Sequence, residues 1–229
     1  MVTSMDIDFH QYYNEIYPFW NRISERQKEE YIQNSYSAKY TKGQFVHNSL
    51  GQCLGMLTVY EGQLRVYIQS ENGKEITLYR LDEGDTCTLS TSCIMEEITF
   101  DVFIEATKDS TLFITNSSYL NYLSEDNVYV QNFIYKQTTE KFSNVMWSMQ
   151  QILFLSFDKR LASYLHDEMI KTNNNSISTT HDEIAKELGS AREVVSRMLK
   201  YFQKEGYVTL ERGKIIILDK DALRKIALS

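Results

Sequence analysis

Two polar signatures ten residues apart set the tightest limit on how this chain can fold. Thr180-His181-Asp182-Glu183 and Ser190-Ala191-Arg192-Glu193 both have the form of a capping box. In such a box a Ser or Thr hydroxyl accepts from a backbone N–H of a new helix, and an acidic side chain three residues on reaches back. Each signature therefore predicts a helix start, with Thr180 and Ser190 as N-caps. Ile184, Ala185 and Leu188 give the first helix an apolar face, and Gly189 ends it. Two helices joined by so short a turn must cross steeply, which is the geometry of a helix-turn-helix.

The second helix sorts into two faces at 100° per residue. Val195, Met198, Leu199 and Phe202 fall on one side; Glu193, Ser196, Arg197 and Lys200 fall on the other. The polar side carries groups that suit a major groove. Arg197 can bond guanine O6 and N7 together, Glu193 can accept from cytosine N4, and Ser196 can meet several base edges. Lys200 and Arg192 suit phosphates. Many surface helices turn such a face to water, and Glu193 also has a bland role as the capping partner of Ser190. The segment that follows shifts the balance. Tyr207-Val208-Thr209-Leu210, then Glu211-Arg212-Gly213-Lys214, then Ile215-Ile216-Ile217-Leu218 reads as a tight hairpin. A helix-turn-helix followed by a hairpin is a winged helix, with Arg212 and Lys214 on the wing.

Glycine placement organises the rest. Six of the nine glycines lie between Gly43 and Gly84, and none lies between Gly84 and Gly189. Residues 40–116 read as β. VYEGQLRVYIQSENGKEITLYRL alternates apolar and polar residues around Asn72-Gly73, a hairpin signal. TFDVFIEATKDSTLFIT repeats the alternation around Lys108-Asp109. Residues 19–34 read as a short helix before the strands. After residue 118 the period changes. Ser124 is placed to cap a helix that runs past Met149. Tyr135, Phe142 and Met149 are seven apart, with Val145 and Ile152 interleaved, a heptad-like stripe. Such a helix either buries itself on its own domain or pairs with its copy. About 25 residues reach ~38 Å, more than one small domain requires, which favours the pair. A further helix is predicted from Phe157 to Thr172, and the polar run Asn173-Asn174-Asn175-Ser176 reads as a boundary.

The net charge of −7 argues at first against nucleic acid, but it is unevenly shared. Residues 1–172 carry −9 and residues 173–229 carry +2, a mild division of labour. No run of 18 apolar residues exists, so no membrane helix is expected. The N-terminal MVTSMDIDFHQYYNEIY lacks the basic start and apolar core of a signal peptide, so the chain reads as cytoplasmic. Cys53, Cys87 and Cys93 are the only cysteines and read as reduced thiols.

HDEIAKELGSAREVVSRMLKYFQKEGYV with its wing closely resembles the C-terminal domain of the Crp/Fnr transcription regulators. VYEGQLRVYIQSENGKEITLYRLDEGD looks like their cyclic-nucleotide-binding-like β-roll, and residues 125–153 match their dimerisation helix in place and character. The resemblance implies an α+β chain. A double-stranded β-helix (β-roll) sensor domain would occupy 1–123, a dimerisation helix 124–155, and a winged helix-turn-helix domain 156–229. It implies a DNA-binding homodimer on a palindromic double-stranded operator, not an enzyme, with RNA polymerase as a partner if it activates. Glu193, Ser196 and Arg197 are similar to the Fnr-type reading set, which implies half-sites like TTGAT. Arg192 matches a position used for phosphate or base contact. Thr180, Ser190, Lys200, Arg212 and Lys214 complete the DNA-contact candidates.

The sensor region departs from the cyclic-AMP branch. Thr88 and Leu89 stand about where that branch has Gly-Glu, and no Arg lies between Arg80 and Lys136. A buried phosphate would lack its usual guanidinium. Residues 1–52 contain no cysteine, and three thiols fall short of a four-thiolate iron–sulfur cluster. What remains is the segment from Cys87 to Cys93, with Leu89, Ser90 and Ser92 as further effector or redox candidates. It reads either as a thiol- or metal-based sensor of oxidants or nitrosative species, or as small buried hydrophobes. No cofactor is fixed by these patterns. A haem would have to use His47, His10 or a Met, and no metal-ligand set stands out. A cupin-like metal enzyme on the β-segment would need clustered His and carboxylates, and His47 is the sole histidine there.

Overall fold

The computed structural model describes residues 9–47, 55–87 and 102–229. Two compact units emerge. One is built on residues up to Gln69 and from Leu78 to Val145; the other on Ser70–Thr77 and Met146–Ser229.

The first unit opens with α1 (Phe9–Ile16), a 3-10 turn (Trp20–Arg22) and α2 (Glu25–Gln33). Ser24 and Gln27 form a capping box that fixes where α2 begins. Among the described residues eight strands follow: β1 (Ser35–Tyr40), β2 (Phe45–His47), β3 (Met56–Glu61), β4 (Leu64–Gln69), β5 (Glu75–Leu81, whose first three residues belong to the second unit), β6 (Thr86–Cys87), β7 (Phe103–Ala106) and β8 (Ser110–Thr115). They form two four-stranded sheets, in the orders β1-β8-β3-β6 and β2-β7-β4-β5. Strand β8 is buried along its whole length because it pairs with β1 on one side and β3 on the other, Ile114 facing Tyr36 and Leu57. Leu57, Val59, Leu112 and Ile114 of the first sheet meet Leu64, Val66, Leu81 and Ile104 of the second in one core. The β4–β5 connection is a five-residue loop, longer than the two-residue turn that Asn72-Gly73 suggests; Ser70 closes it by bonding Lys74 and Gly73.

An aromatic cluster covers the first sheet. Tyr13, Tyr17, Phe19, Trp20 and Tyr31 pack with Phe113 and with Phe133 of the long helix described next. Tyr17 Oη and Thr58 Oγ1 share a hydrogen bond of 2.7 Å inside it. Burying an aromatic of this size stabilises by about 1.5–3 kcal/mol, so helices α1 and α2 belong to the core. Gly55 ends this wall. Its φ is +98°, and a Cβ there would lie 2.0 Å from the Thr115 carbonyl oxygen, so only glycine fits.

Helix α3 (Ser117–Asp126) leads into α4 (Val128–Phe154). The cap of α4 is Asn127, whose side chain accepts from Tyr129 and Val130, and not Ser124, which lies inside α3. Two helices with a break at Asn127 stand where the sequence suggests one. Among the described residues no helix is long and apolar enough to cross a membrane.

The second unit holds α5 (Phe157–Thr172), β9 (Ser176–Ser178), α6 (His181–Glu187), α7 (Arg192–Lys204), β10 (Val208–Glu211), β11 (Lys214–Ile217) and α8 (Lys220–Leu228). Leu161, Ala162 and Leu165 of α5 share a core with Ile184, Val195, Leu199, Phe202 and Leu223. The Asn173–Ser176 run therefore turns the chain within a single core and is not a boundary between cores. Asn173 makes the turn in the left-handed region, and Ser176–Ser178 then adds a third strand to the wing, in the order β10-β11-β9.

Candidate nucleic-acid interface

The first capping box forms as the sequence indicates. Glu183 N–H donates to Thr180 Oγ1 at 3.2 Å, and Thr180 N–H donates to Glu183 Oε2 at 2.7 Å. Gly189, at φ +57°, closes α6, and Ser190 N–H donates back to the Ala185 carbonyl at 2.8 Å. That is a Schellman closure. It commits Ser190 to the end of α6. Helix α7 consequently starts one residue later, with Ala191 as an N-cap that makes no side-chain cap bond. Ser190 is not the cap that the second capping box suggests. Glu193 moves to the second helical position and is released from capping.

Helix α7 divides as its periodicity requires. Val195, Leu199 and Phe202 are fully buried. Arg192, Glu193, Ser196, Arg197 and Lys200 together line one open concavity on the opposite side. Three cationic side chains, one carboxylate and one hydroxyl thus converge on a single surface, supported by a rigid apolar face. Arg192 Nη1 lies 3.1 Å from Asp182 Oδ2, with both side chains exposed, so the start of α7 is tied to α6 by a surface ion pair. Such a pair contributes little stability, about 0–1 kcal/mol, and is easily exchanged for a phosphate. Arg212 and Lys214 flank Gly213 at the exposed turn between β10 and β11, apart from the α7 concavity. Thr180 spends its hydroxyl on the cap.

Some supports have no signature in the sequence. Arg160 Nη1 donates to the Leu188 carbonyl, 28 residues away, and satisfies an end of α6. Partial burial draws that guanidinium's pKa down from its usual value. Thr77 Oγ1 donates to the Lys186 carbonyl at 3.2 Å, and Lys186 pairs with Glu75 at 3.1 Å. No periodicity announces pairs so distant in the chain.

Helix α4 presents a second exposed surface. Tyr135, Phe142 and Met149 are 60%, 64% and 46% exposed, and Met146, Trp147, Leu153 and Phe154 are exposed as well. The interleaved positions of this stripe are Met146 and Leu153. Val145 instead packs on the β-roll core, and Ile152 lies against Gly189. A four-residue step from Phe142 turns 40°, whereas a three-residue step turns 60° the other way, toward the core.

Of the thiol candidates, Cys87 is fully buried, with its Sγ 3.8 Å from Tyr79 Oη. Burial, with Cys87 beside it, pushes the Tyr79 hydroxyl well up, so it stays protonated. Leu89, Ser90, Ser92, Cys93 and Cys53 lie outside the described residues. Among the described residues, no three His, Cys, Asp or Glu side chains gather as metal ligands. His10 packs against the Trp20 ring, and His47 belongs to β2.

Comparison with known proteins bears on this surface. Residues 159–226 match the model of a Crp-like helix-turn-helix domain. A transcriptional regulator of the Crp/Fnr family from Eubacterium rectale is 44% identical over 94% of this chain and its own whole length, with a TM-score of 0.89. A second regulator of that family, from Thermus thermophilus, is 20% identical over 85% of this chain and 99% of its own, with a TM-score of 0.67, a likeness of fold. The transcriptional regulator SdrP of Thermus thermophilus is 39% identical over 51 residues, which span a quarter of its length.

Proposed function

Because this chain belongs to the Crp/Fnr family of transcriptional regulators, we propose that it acts as a homodimer on a two-fold symmetric operator, read through α7. The family is one of DNA-binding regulators and not of enzymes. One observation carries the proposal: five polar residues of α7 converge on one open surface while its other face is locked into the core. In this reading Arg197, Glu193 and Ser196 read base edges of TTGAT-like half-sites. Arg192, Lys200, Arg212 and Lys214 contact the backbone, with Thr180 and Ser190 at its margin. Phosphate contacts position the protein and base contacts give sequence preference.

The exposed stripe of α4 is the dimer seam. A solvent-facing row of Tyr135, Phe142, Met146, Met149 and Leu153 is more apolar surface than a monomer ordinarily leaves open. Pairing α4 with its copy covers the row and sets two α7 helices one DNA turn apart, about 34 Å. The protein works in the cytoplasm, and RNA polymerase is its partner where it activates. A signal in the β-roll shifts the dimer between binding and non-binding states. Full burial of Cys87 favours a small-molecule signal over direct oxidation of that thiol.

The test is binding to a labelled palindrome of TTGAT half-sites against a scrambled duplex, with and without reductant. Preference for the palindrome in both conditions supports the regulator and a small-molecule signal. Preference that depends on reductant returns the thiols to the mechanism. No preference, with random-pool selection also yielding no symmetric site, overturns the reading.

A further inference from the structure

We propose that Asp182 determines specificity at the DNA interface: it holds Arg192 until an operator phosphate displaces it, and so weakens binding to unrelated DNA. Asp182 has this role only if α7 is the recognition helix, the reading on which the proposal rests.

A surface that meets a phosphate backbone gains nothing from a carboxylate beside its cations. The first turn of α6 nevertheless carries two, Asp182 and Glu183. Glu183 is consumed locally: its Oε2 accepts from the Thr180 N–H at 2.7 Å and from the Thr180 hydroxyl at 3.1 Å. Asp182 takes no part in that capping box. Its Oδ2 lies instead 3.1 Å from Nη1 of Arg192, the first residue of α7. Of the three cations that line the α7 concavity, Arg192 is the one with an ion pair among the described residues.

Exposure decides what such a pair can do. Arg65 and Glu105 stand 2.8 Å apart with side chains only 3% and 19% exposed, and parting them would strand a buried charge. Arg192 and Asp182 are 63% and 56% exposed, so water takes over either group and the pair opens at little cost. A carboxylate and a phosphate also offer a guanidinium the same kind of paired oxygens. Asp182 is therefore an exchangeable stand-in for phosphate. The exchange favours phosphate only where other contacts hold the backbone in place. On an operator, base contacts from Arg197, Glu193 and Ser196 seat α7 and bring a phosphate to Arg192. On other DNA α7 is not seated, and Arg192 keeps Asp182. Each protomer then meets unrelated DNA with one cation fewer, and sequence-independent affinity follows the number of phosphates neutralised.

The experiment measures binding of the full chain to the TTGAT palindrome and to the scrambled duplex over a salt series. The proteins are wild type, Asp182→Asn, Asp182→Glu, Arg192→Ala, the Asp182→Asn/Arg192→Ala double variant and Arg197→Ala. Asp182→Asn should bind the scrambled duplex about fivefold more tightly and the palindrome less than about twofold more tightly, so preference for the palindrome falls. Its log–log salt slope on the scrambled duplex should steepen by about one per protomer. Both changes should vanish when Asp182→Asn is made on top of Arg192→Ala, and Asp182→Glu should behave as wild type. Equal tightening on both duplexes, or tightening that persists without Arg192, would reduce Asp182 to a diffuse repulsive charge and overturn the proposal. So would no change on either duplex, which would leave Asp182 a helix-end charge only. Arg197→Ala separates the proposal from the reading beneath it. If that variant loses preference for the palindrome while Asp182→Asn fails these expectations, recognition by α7 stands and the role of Asp182 falls. If Arg197→Ala keeps the preference intact, both fall.

Discussion

Helices α4 and α7 are both amphipathic, yet they differ in how much of themselves they bury. Helix α7 has one apolar face, and Val195, Leu199 and Phe202 use all of it inside the second unit. Its other face is polar and complete in water. Helix α4 is apolar on two sides. Val130 and Phe133 face its own domain, while Tyr135, Phe142 and Met146 face solvent. A helix with one apolar face is finished by its own domain and free to present chemistry. A helix with two apolar faces asks for a second partner. The contrast is what supports the proposal that α7 serves recognition and α4 assembly.

The largest expected effect breaks the buried side of α7. Phe202→Ala should destabilise the second unit by about 3–5 kcal/mol in chemical denaturation, since it empties a fully enclosed site. Phe142→Asp attacks the exposed side of α4. It should weaken self-association by about 2–4 kcal/mol in sedimentation while leaving the monomer folded, because Phe142 is exposed in the monomer. A mutant that unfolds, or that still dimerises as well as wild type, would break the comparison. Arg197→Ala should weaken specific operator binding by about 1–3 kcal/mol and relax preference at one base pair, with stability unchanged. The two caps sharpen the start of each recognition element. Thr180→Ala should cost about 1 kcal/mol, whereas Ser190→Ala should stay within about 0.5 kcal/mol, since Ser190 makes no cap bond.

The second unit is legible in the sequence because its signals are local. The Thr180 cap, the Gly189 stop, the two faces of α7 and the Phe157–Thr172 helix each depend on residues a few positions apart. Where neighbouring motifs compete for one residue, local reading fails. Ser190 closes α6 and so cannot cap α7, and Asn127, not Ser124, opens α4. Elements whose stability is tertiary escape such a reading. Strand β9 is polar and exists through its pairing with β11, while α8 is held by packing on the C-terminal core. The seven-residue spacing finds the stripe on α4 but puts the interleaved row on the wrong side, because 3.5 and 3.6 periods differ by little over three turns. Lys141, buried in α4 with its Nζ 5.5 Å from the centre of the Tyr79 ring, gives no signal, since a lone lysine in a helix reads as solvent-facing until its neighbours are known.

Selection of bound duplexes from a random DNA pool, by wild type and by Arg197→Ala, tests the central claim most directly. The expected result is a two-fold symmetric site with half-sites one helical turn apart, about 34 Å, and loss of preference at the same base pair of each half-site in the mutant. Enrichment of asymmetric sequences, or of the same sequences by both proteins, would contradict the account.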